Sequence, residues 1–139
     1  VCASSYLDRL DDAPDLSRLA DYDLLHARYR RRAWEHWSDA VGADITHHRS
    51  MEFDTSLLAL SAAEQGFGMA IGQLGLLAGS IAQRRLLRPF ERPIRTGQVF
   101  YVVWPTATSV NTKTRRFIDW MLDQAGEQPE FFTGAITGG

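Results

Sequence analysis

A chain of 139 residues can bury one core, and its 45% hydrophobic and 23% charged residues are the composition of an ordinary globular domain. A net charge of −2 gives no electrostatic footprint for nucleic acid, and the single cysteine, Cys2, excludes an internal disulfide framework and fits a reducing compartment. No apolar run reaches the ~18 residues that a membrane span needs, because the longest candidate, 66–82, is interrupted by Gln73 and several glycines. The chain opens at Val1 in an apolar run without a signal-peptide pattern, which reads as a piece whose domain begins upstream.

Val1 to Ala3 predicts a short buried strand, with Cys2 as a small core residue rather than a nucleophile. Ser4 and Ser5 then offer N-cap hydroxyls for a helical turn through Leu10. Pro14 opens a second short helix with Leu16 and Leu19 inward, and Leu24 to Ala27 reads as a strand. Arg28 to Arg32 (RYRRR) is expected as a solvated loop rather than an anion site. Trp34, Trp37 and Val41 have helical spacing, stopped by Gly42, and read as core in preference to a binding wall. Ile45 to Met51 is the next predicted strand. The helix after it takes Asp54 as N-cap, with Phe53 and Leu58 as a hydrophobic staple, and its leucines and alanines cover more than one face, so deep burial is expected. Gly66 ends that helix, and Gly68 to Ile71 forms a short buried strand.

Gln73 to Arg85 reads as helical or irregular, Leu86 to Pro89 as a short strand and 90–97 as a polar connection. Gln98 to Trp104 (QVFYVVW) has strong β character until Pro105 breaks it. Val110, Thr114, Phe117, Ile118, Met121 and Leu122 mark one side of a last helix that Gly126 stops, and 126–139 reads as a loose tail.

This alternation predicts an α/β fold with a mainly parallel sheet and helices on both faces. In such sheets ligands bind beyond the carboxyl ends of the strands, where helix N-termini point. Three segments meet that expectation: Ser4-Ser5, Met51 to Thr55, and Gly72-Gln73. Catalytic patterns are missing. His47 and His48 would point to opposite faces of a strand, His26 and His36 stand alone, and no HExxH, CxxC or acidic triad provides a metal site. Gly66-Phe67-Gly68 closes a helix and enters a strand, the reverse of a dinucleotide loop, and neither a GxSxG elbow nor a P-loop is present.

The pattern FDxSLLALxAAxxGxGxAxG, which starts at Phe53, resembles the effector-binding domain of LysR-type transcriptional regulators, in the glycine-cleavage-activator and β-lactamase-activator branch. Other pieces follow in the family's order. VCASSYL resembles its C-S-P-x-L, and DLSRLADYDLLH its DLxxxxLLH. Trp34 to Gly42 resembles WxxWLxxAG, and RLLRPFE its LVxPF. YVVWP followed by KTRRFIDWML resembles YxLVxP…KVxxFRxWL. The resemblance covers residues 1–125. The sequence departs in having Ser5 where the family usually has Pro, and in carrying RYRRR where the family's loop is often acidic or short.

The resemblance implies a periplasmic-binding-protein-like fold of two α/β subdomains. Residues 1–3 would be a crossover strand, 4–97 the second subdomain, and 98–125 the return crossover and last helix of the first. The remainder of the first subdomain and a DNA-binding helix-turn-helix would lie upstream. The helix stripe of Phe117, Ile118, Met121 and Leu122 would then be exposed or covered by another copy, so self-association or domain exchange is expected. It implies a cytoplasmic, non-enzymatic sensor that needs no cofactor, metal or membrane. It would act as a homo-oligomer and meet DNA only through the upstream part. A small effector (an amino acid, an aromatic acid or a peptide-like molecule) would sit in the cleft between subdomains, against Ser4, Ser5, Glu52, Phe53, Asp54, Thr55, Gly72 and Gln73. A solute-binding protein of a transport system is the alternative, and a small α/β enzyme a more distant one. The upstream reading frame separates them, since transport needs a secretion signal there and regulation a helix-turn-helix.

Overall fold

Strand β1 (Asp23–Ala27) is the centre of a three-stranded sheet of order β2-β1-β3, with both neighbours parallel to it. The computed structural model describes residues 1–97, 101–104 and 110–126. It divides into two units, Val1–Ile94 and Arg95–Gly139, and the sheet belongs to the first.

The two faces of β1 carry two cores. Leu24 packs with Cys2, Tyr6, Leu19, Trp34, Trp37 and Met69 on one face. Leu25 packs with Ala59, Ala62, Ala63, Ala70, Leu77 and Leu86 on the other. This is the period-2 alternation of a strand buried on both sides. Helices on both faces, as predicted, are therefore observed: α2 (Ala33–Val41) on the first, α3 (Ser56–Glu64) and α4 (Leu74–Ala82) on the second. The tryptophan stripe is core. Trp34 and Trp37 meet edge to face at 5.8 Å, and their indole N–H groups donate to Leu25 O (3.0 Å) and Arg92 O (2.8 Å). Gly42 and Gly66 follow α2 and α3 in the left-handed region, at φ 71° and 80°.

Several boundaries differ from the sequence reading. Ala3, not a serine, caps α1 (Ser4–Leu7), and it makes no side-chain cap bond. The Pro14 segment is a 3-10 helix, Leu16–Asp21, capped by Asp15, whose carboxylate accepts from Ser17 N–H at 2.9 Å. Strand β2 is Arg49–Phe53, several residues later than predicted; Ile45 packs against the core from the preceding turn. Helix α3 is capped by Thr55, whose hydroxyl accepts from Leu58 N–H at 3.3 Å. With the cap one residue later, Phe53 and Leu58 no longer hold staple positions. The helix is also less buried than expected: Ala59, Ala62 and Ala63 carry the contact, while Leu57 is 77% exposed.

The predicted strands at Val1 to Ala3 and Leu86 to Pro89 reduce to an antiparallel bridge between Cys2 and Leu87. Val1 also exchanges backbone hydrogen bonds of 2.8 Å with Ala70 in β3 (Met69–Ala70). Cys2 is wholly buried, and desolvation pushes its thiol up to about 11, which leaves it protonated and unreactive at neutral pH.

In the second unit, residues 101–104 form no strand, so the described part of the predicted Gln98 to Trp104 strand is not observed; 98–100 lie outside the described residues. A strand needs a hydrogen-bonding partner, and β propensity alone does not supply one. Helix α5 (Thr112–Gly126) is present, with Asn111 Oδ1 accepting from Thr114 N–H at 2.9 Å. Ile118 is buried and Met121 and Leu122 are half-buried, whereas Phe117 and Trp120 are exposed with ring centroids 5.8 Å apart. The expected tail, beyond Gly126, lies outside the described residues.

Candidate functional site

Parallel strands make the two ends of a sheet chemically different, because helix N-termini gather at the carboxyl end. Here the ends of β1, β2 and β3 present Ala27, Phe53 and Ile71, and α3 and α4 begin directly beyond the last two. The N–H groups of the first turn of each helix have no intrahelical partner. In α3 the Thr55 hydroxyl takes one of them, from Leu58. Gln73 caps α4 through its backbone alone, its carbonyl accepting from Leu76 and Leu77 N–H, and its side chain makes no capping bond.

Gly72 is a packing glycine. A Cβ there would collide with a Leu77 methyl and lie 3.2 Å from a Leu60 methyl, so the glycine leaves room for these two leucine side chains at the end of β3. Phe53 is half-buried and packs against the alanine-lined core, which makes it part of the wall rather than a free contact.

Ser4 and Ser5 do not join this edge. The first residues pair antiparallel, so the chain leaves the sheet at its other end. There Ala3 N–H donates to Ala63 O at 3.1 Å, and the Ser5 hydroxyl lies 2.6 Å from where a Cβ on Gly66 would stand, before β3 begins. Tyr6 fixes the same end to the start of β1: its phenol accepts from Asp23 N–H at 2.8 Å and donates to the Asp23 carboxylate at 3.3 Å. The other predicted site residues do converge at the carboxyl end.

Sequence reasoning missed the end of β1. A small pocket of about 10 Å³ opens there, lined by His26, Ala27, Arg30, Trp34, Ser56 and Ile71 among others. The strand-end rule, applied to Ala27 as it was to the ends of the other strands, finds it. The RYRRR run is also not a free solvated loop. Arg28 pairs with Glu52 (3.3 Å) and Asp54 (3.0 Å), and Arg31 with Glu52 (3.5 Å). Asp54, released from capping, thus carries an ion pair. All these groups are largely exposed, so each pair contributes at most about 1 kcal/mol and orders the edge more than it stabilises the fold.

His26 is not alone either. Its Nε2 lies 2.9 Å from His48 Nε2, and His47, at φ 63°, sits in the turn before β2 rather than on a strand. Among the described residues no group of three or more His, Cys, Asp or Glu side chains is placed to hold a metal ion.

The sequence model of the LysR substrate binding domain matches residues 1–126. The chain belongs to the LysR substrate-binding-domain family. It is 34% identical over 130 residues to the HTH-type transcriptional activator AmpR of Pseudomonas aeruginosa, covering 90% of this chain and 41% of that protein. To the AmpR of Rhodobacter capsulatus it is 28% identical, over 91% of this chain and 42% of the relative. To the glycine cleavage system transcriptional activator of Escherichia coli K12 it is 29% identical, over 82% and 37%. The chain thus spans about two fifths of the length of these curated relatives. The X-ray structure of the effector domain of AmpR of Pseudomonas aeruginosa superimposes with a TM-score of 0.65 at 27% identity, over 91% of this chain and 60% of that one. The AmpR effector binding domain from Citrobacter freundii shares the fold, with a TM-score of 0.59 at 22% identity over 91% and 62%. The α/β architecture with its parallel sheet is therefore that of LysR effector-binding domains, which is periplasmic-binding-protein-like. No helix among the described residues is long and apolar enough to cross a membrane.

Proposed function

We propose that this LysR domain is the ligand-sensing part of a non-enzymatic, cytoplasmic transcriptional regulator, whose small effector binds against the carboxyl end of the sheet. The observation that carries this reading is the convergence of two helix starts, at Thr55 and Gln73, on that end in a chain of this family. Unpaired N–H groups of α3 and the Thr55 hydroxyl suit a carboxylate or amide oxygen. Gln73 offers an amide, and Phe53 and Gly72 shape the wall. Glu52 and Asp54, held by Arg28 and Arg31, form a charged rim.

An amino acid, an aromatic acid or a peptide-like molecule has the oxygens for such an edge. The effector would act by preferring one of two arrangements of the regulator, with a coupling of about 1–3 kcal/mol. DNA contact and dimerisation would belong to the full-length protein. Ser4 and Ser5, at the opposite end, are left out of the site.

The deciding experiment is a Thr55→Trp substitution in the intact regulator. Effector-dependent transcription should be lost, while the melting temperature falls only by the few degrees that the lost cap of α3 costs. An unchanged response would remove this edge from consideration. A thermal-shift screen of amino acids, aromatic acids and peptides on the intact protein identifies the effector class, since a ligand of the folded state raises its stability.

A further inference from the structure

His26, on β1, lines the pocket at the end of that strand and also touches His48, in the turn before β2, a contact that the effector reading does not use. We propose that this contact is a proton-operated tether, which keeps its N–H···N bond when the pair holds one extra proton and parts when it holds two, freeing the 45–48 turn from the end of β1.

The hydrogen-bond chain fixes the protons. His48 Nδ1 lies 2.6 Å from Ile45 O, and a carbonyl only accepts, so Nδ1 carries a hydrogen. In the neutral ring His48 Nε2 is then an acceptor, and His26 Nε2, 2.9 Å away, is the donor to it. The ring centroids are 5.0 Å apart against 2.9 Å for the nitrogens, so the rings meet tip to tip rather than face to face. This geometry suits a hydrogen and not a metal ion. Two zinc–imidazole bonds of about 2.0 Å at the tetrahedral angle set their nitrogens about 3.3 Å apart, wider than this gap, and rings that meet tip to tip do not aim their lone pairs at a common point beside it. Protonating His26 on its other nitrogen leaves the shared hydrogen where it is. Protonating both rings sets two N–H groups against each other, with two positive charges besides.

Neighbouring charges modulate this. Glu52, opposite His26 in the β1–β2 register, and Glu35 from α2 favour the imidazolium. The Arg31 backbone acts in the same direction, while Arg30 lines the same pocket and α3 contributes the uncharged Ser56. Burial and then His48 oppose charging, and they hold the His26 pKa below its ordinary 6.5. For a base whose folded pKa lies below its unfolded one, the stability it contributes is complete above about 6.5 and is lost as pH falls below that. The tether is therefore closed at neutral pH and opens only on the acidification that charges both rings.

This inference stands on the geometry of the turn and is independent of where an effector binds. It is tested by following the imidazole nitrogens of the intact protein by NMR between pH 8 and 4. The two rings should titrate as a coupled pair, with steps separated by at least about one pH unit. The backbone amides of 45–48 should shift with the second, lower step. In a His26→Gln variant those amides should lose their acidic transition. Independent titration of the two rings, unchanged when one is removed, overturns the proposal. If the variant does not fold, the parent protein decides through its tautomers at neutral pH: hydrogen on Nδ1 of His48 and Nε2 of His26 supports the tether, and any other pairing overturns it.

Discussion

The two ends of the sheet are built from similar materials and do different things. At the start of the strands the polar groups are tied to one another: Tyr6 serves Asp23 from both sides of its hydroxyl, Ala3 is tied to Ala63, and the Arg9 guanidinium donates to Gly66 O. At the carboxyl end, the partners are solvent-facing ion pairs and helix N–H groups with capacity to spare. One end closes the fold, and the other is left chemically open. In the sequence, the serines of the closed end and the charged residues of the open end are equally suited to ligand binding, yet strand direction alone separates them.

That contrast can be broken by substitution. The largest effect is expected for Tyr6→Phe, which strands the Asp23 N–H without a partner and should cost about 1–3 kcal/mol in urea unfolding, with no change in effector response. Gly66→Ala forces a side chain into the left-handed region beside Ser5 and should cost about 1–2 kcal/mol by the same measurement. Thr55→Ala, at the open end, should cost about 1 kcal/mol through the lost cap and, unlike the first two, should weaken effector response in a reporter assay. Arg28→Ala should change stability by less than about 1 kcal/mol, within the range of exposed ion pairs, while altering the salt dependence of effector binding. A start-edge variant that changed response without loss of stability would erase the distinction.

Much of the fold is legible in the residues. The glycine stops after α2 and α3, the Trp34–Trp37 stripe and the alanines of α3 each have a local cause, so a local reading finds them. The errors share another origin. Asp54 is as good a cap as Thr55 in isolation, but Arg28, distant in sequence, draws it away. Ile45 marks an apolar position and pulls the predicted β2 too early, whereas the true strand, RSMEF, lies at the edge of the sheet and is mostly exposed, so its pattern carries no burial signal. Residues 101–104 have the composition of a strand but, among the described residues, pair with none. Ser4 and Ser5 fall to the wrong end because nothing in VCA states that it runs antiparallel to β3. The His26–His48 contact is equally invisible, since it depends on a turn at His47 that takes a positive φ.

The exposure of β2 has a consequence of another kind. Within the described sheet only β1 pairs with it, so its outer backbone groups are a template on which another extended chain could add. Arg49 and Glu52 stand on that strand as charges already committed to Asp23 and to the arginine turn, at 3.1 Å and 3.3 Å. An incoming strand would have to displace those pairs or bring charges to match them. The charged rim of the candidate site thus doubles as protection against edge-to-edge aggregation, and neutralising it should lower solubility before it lowers stability.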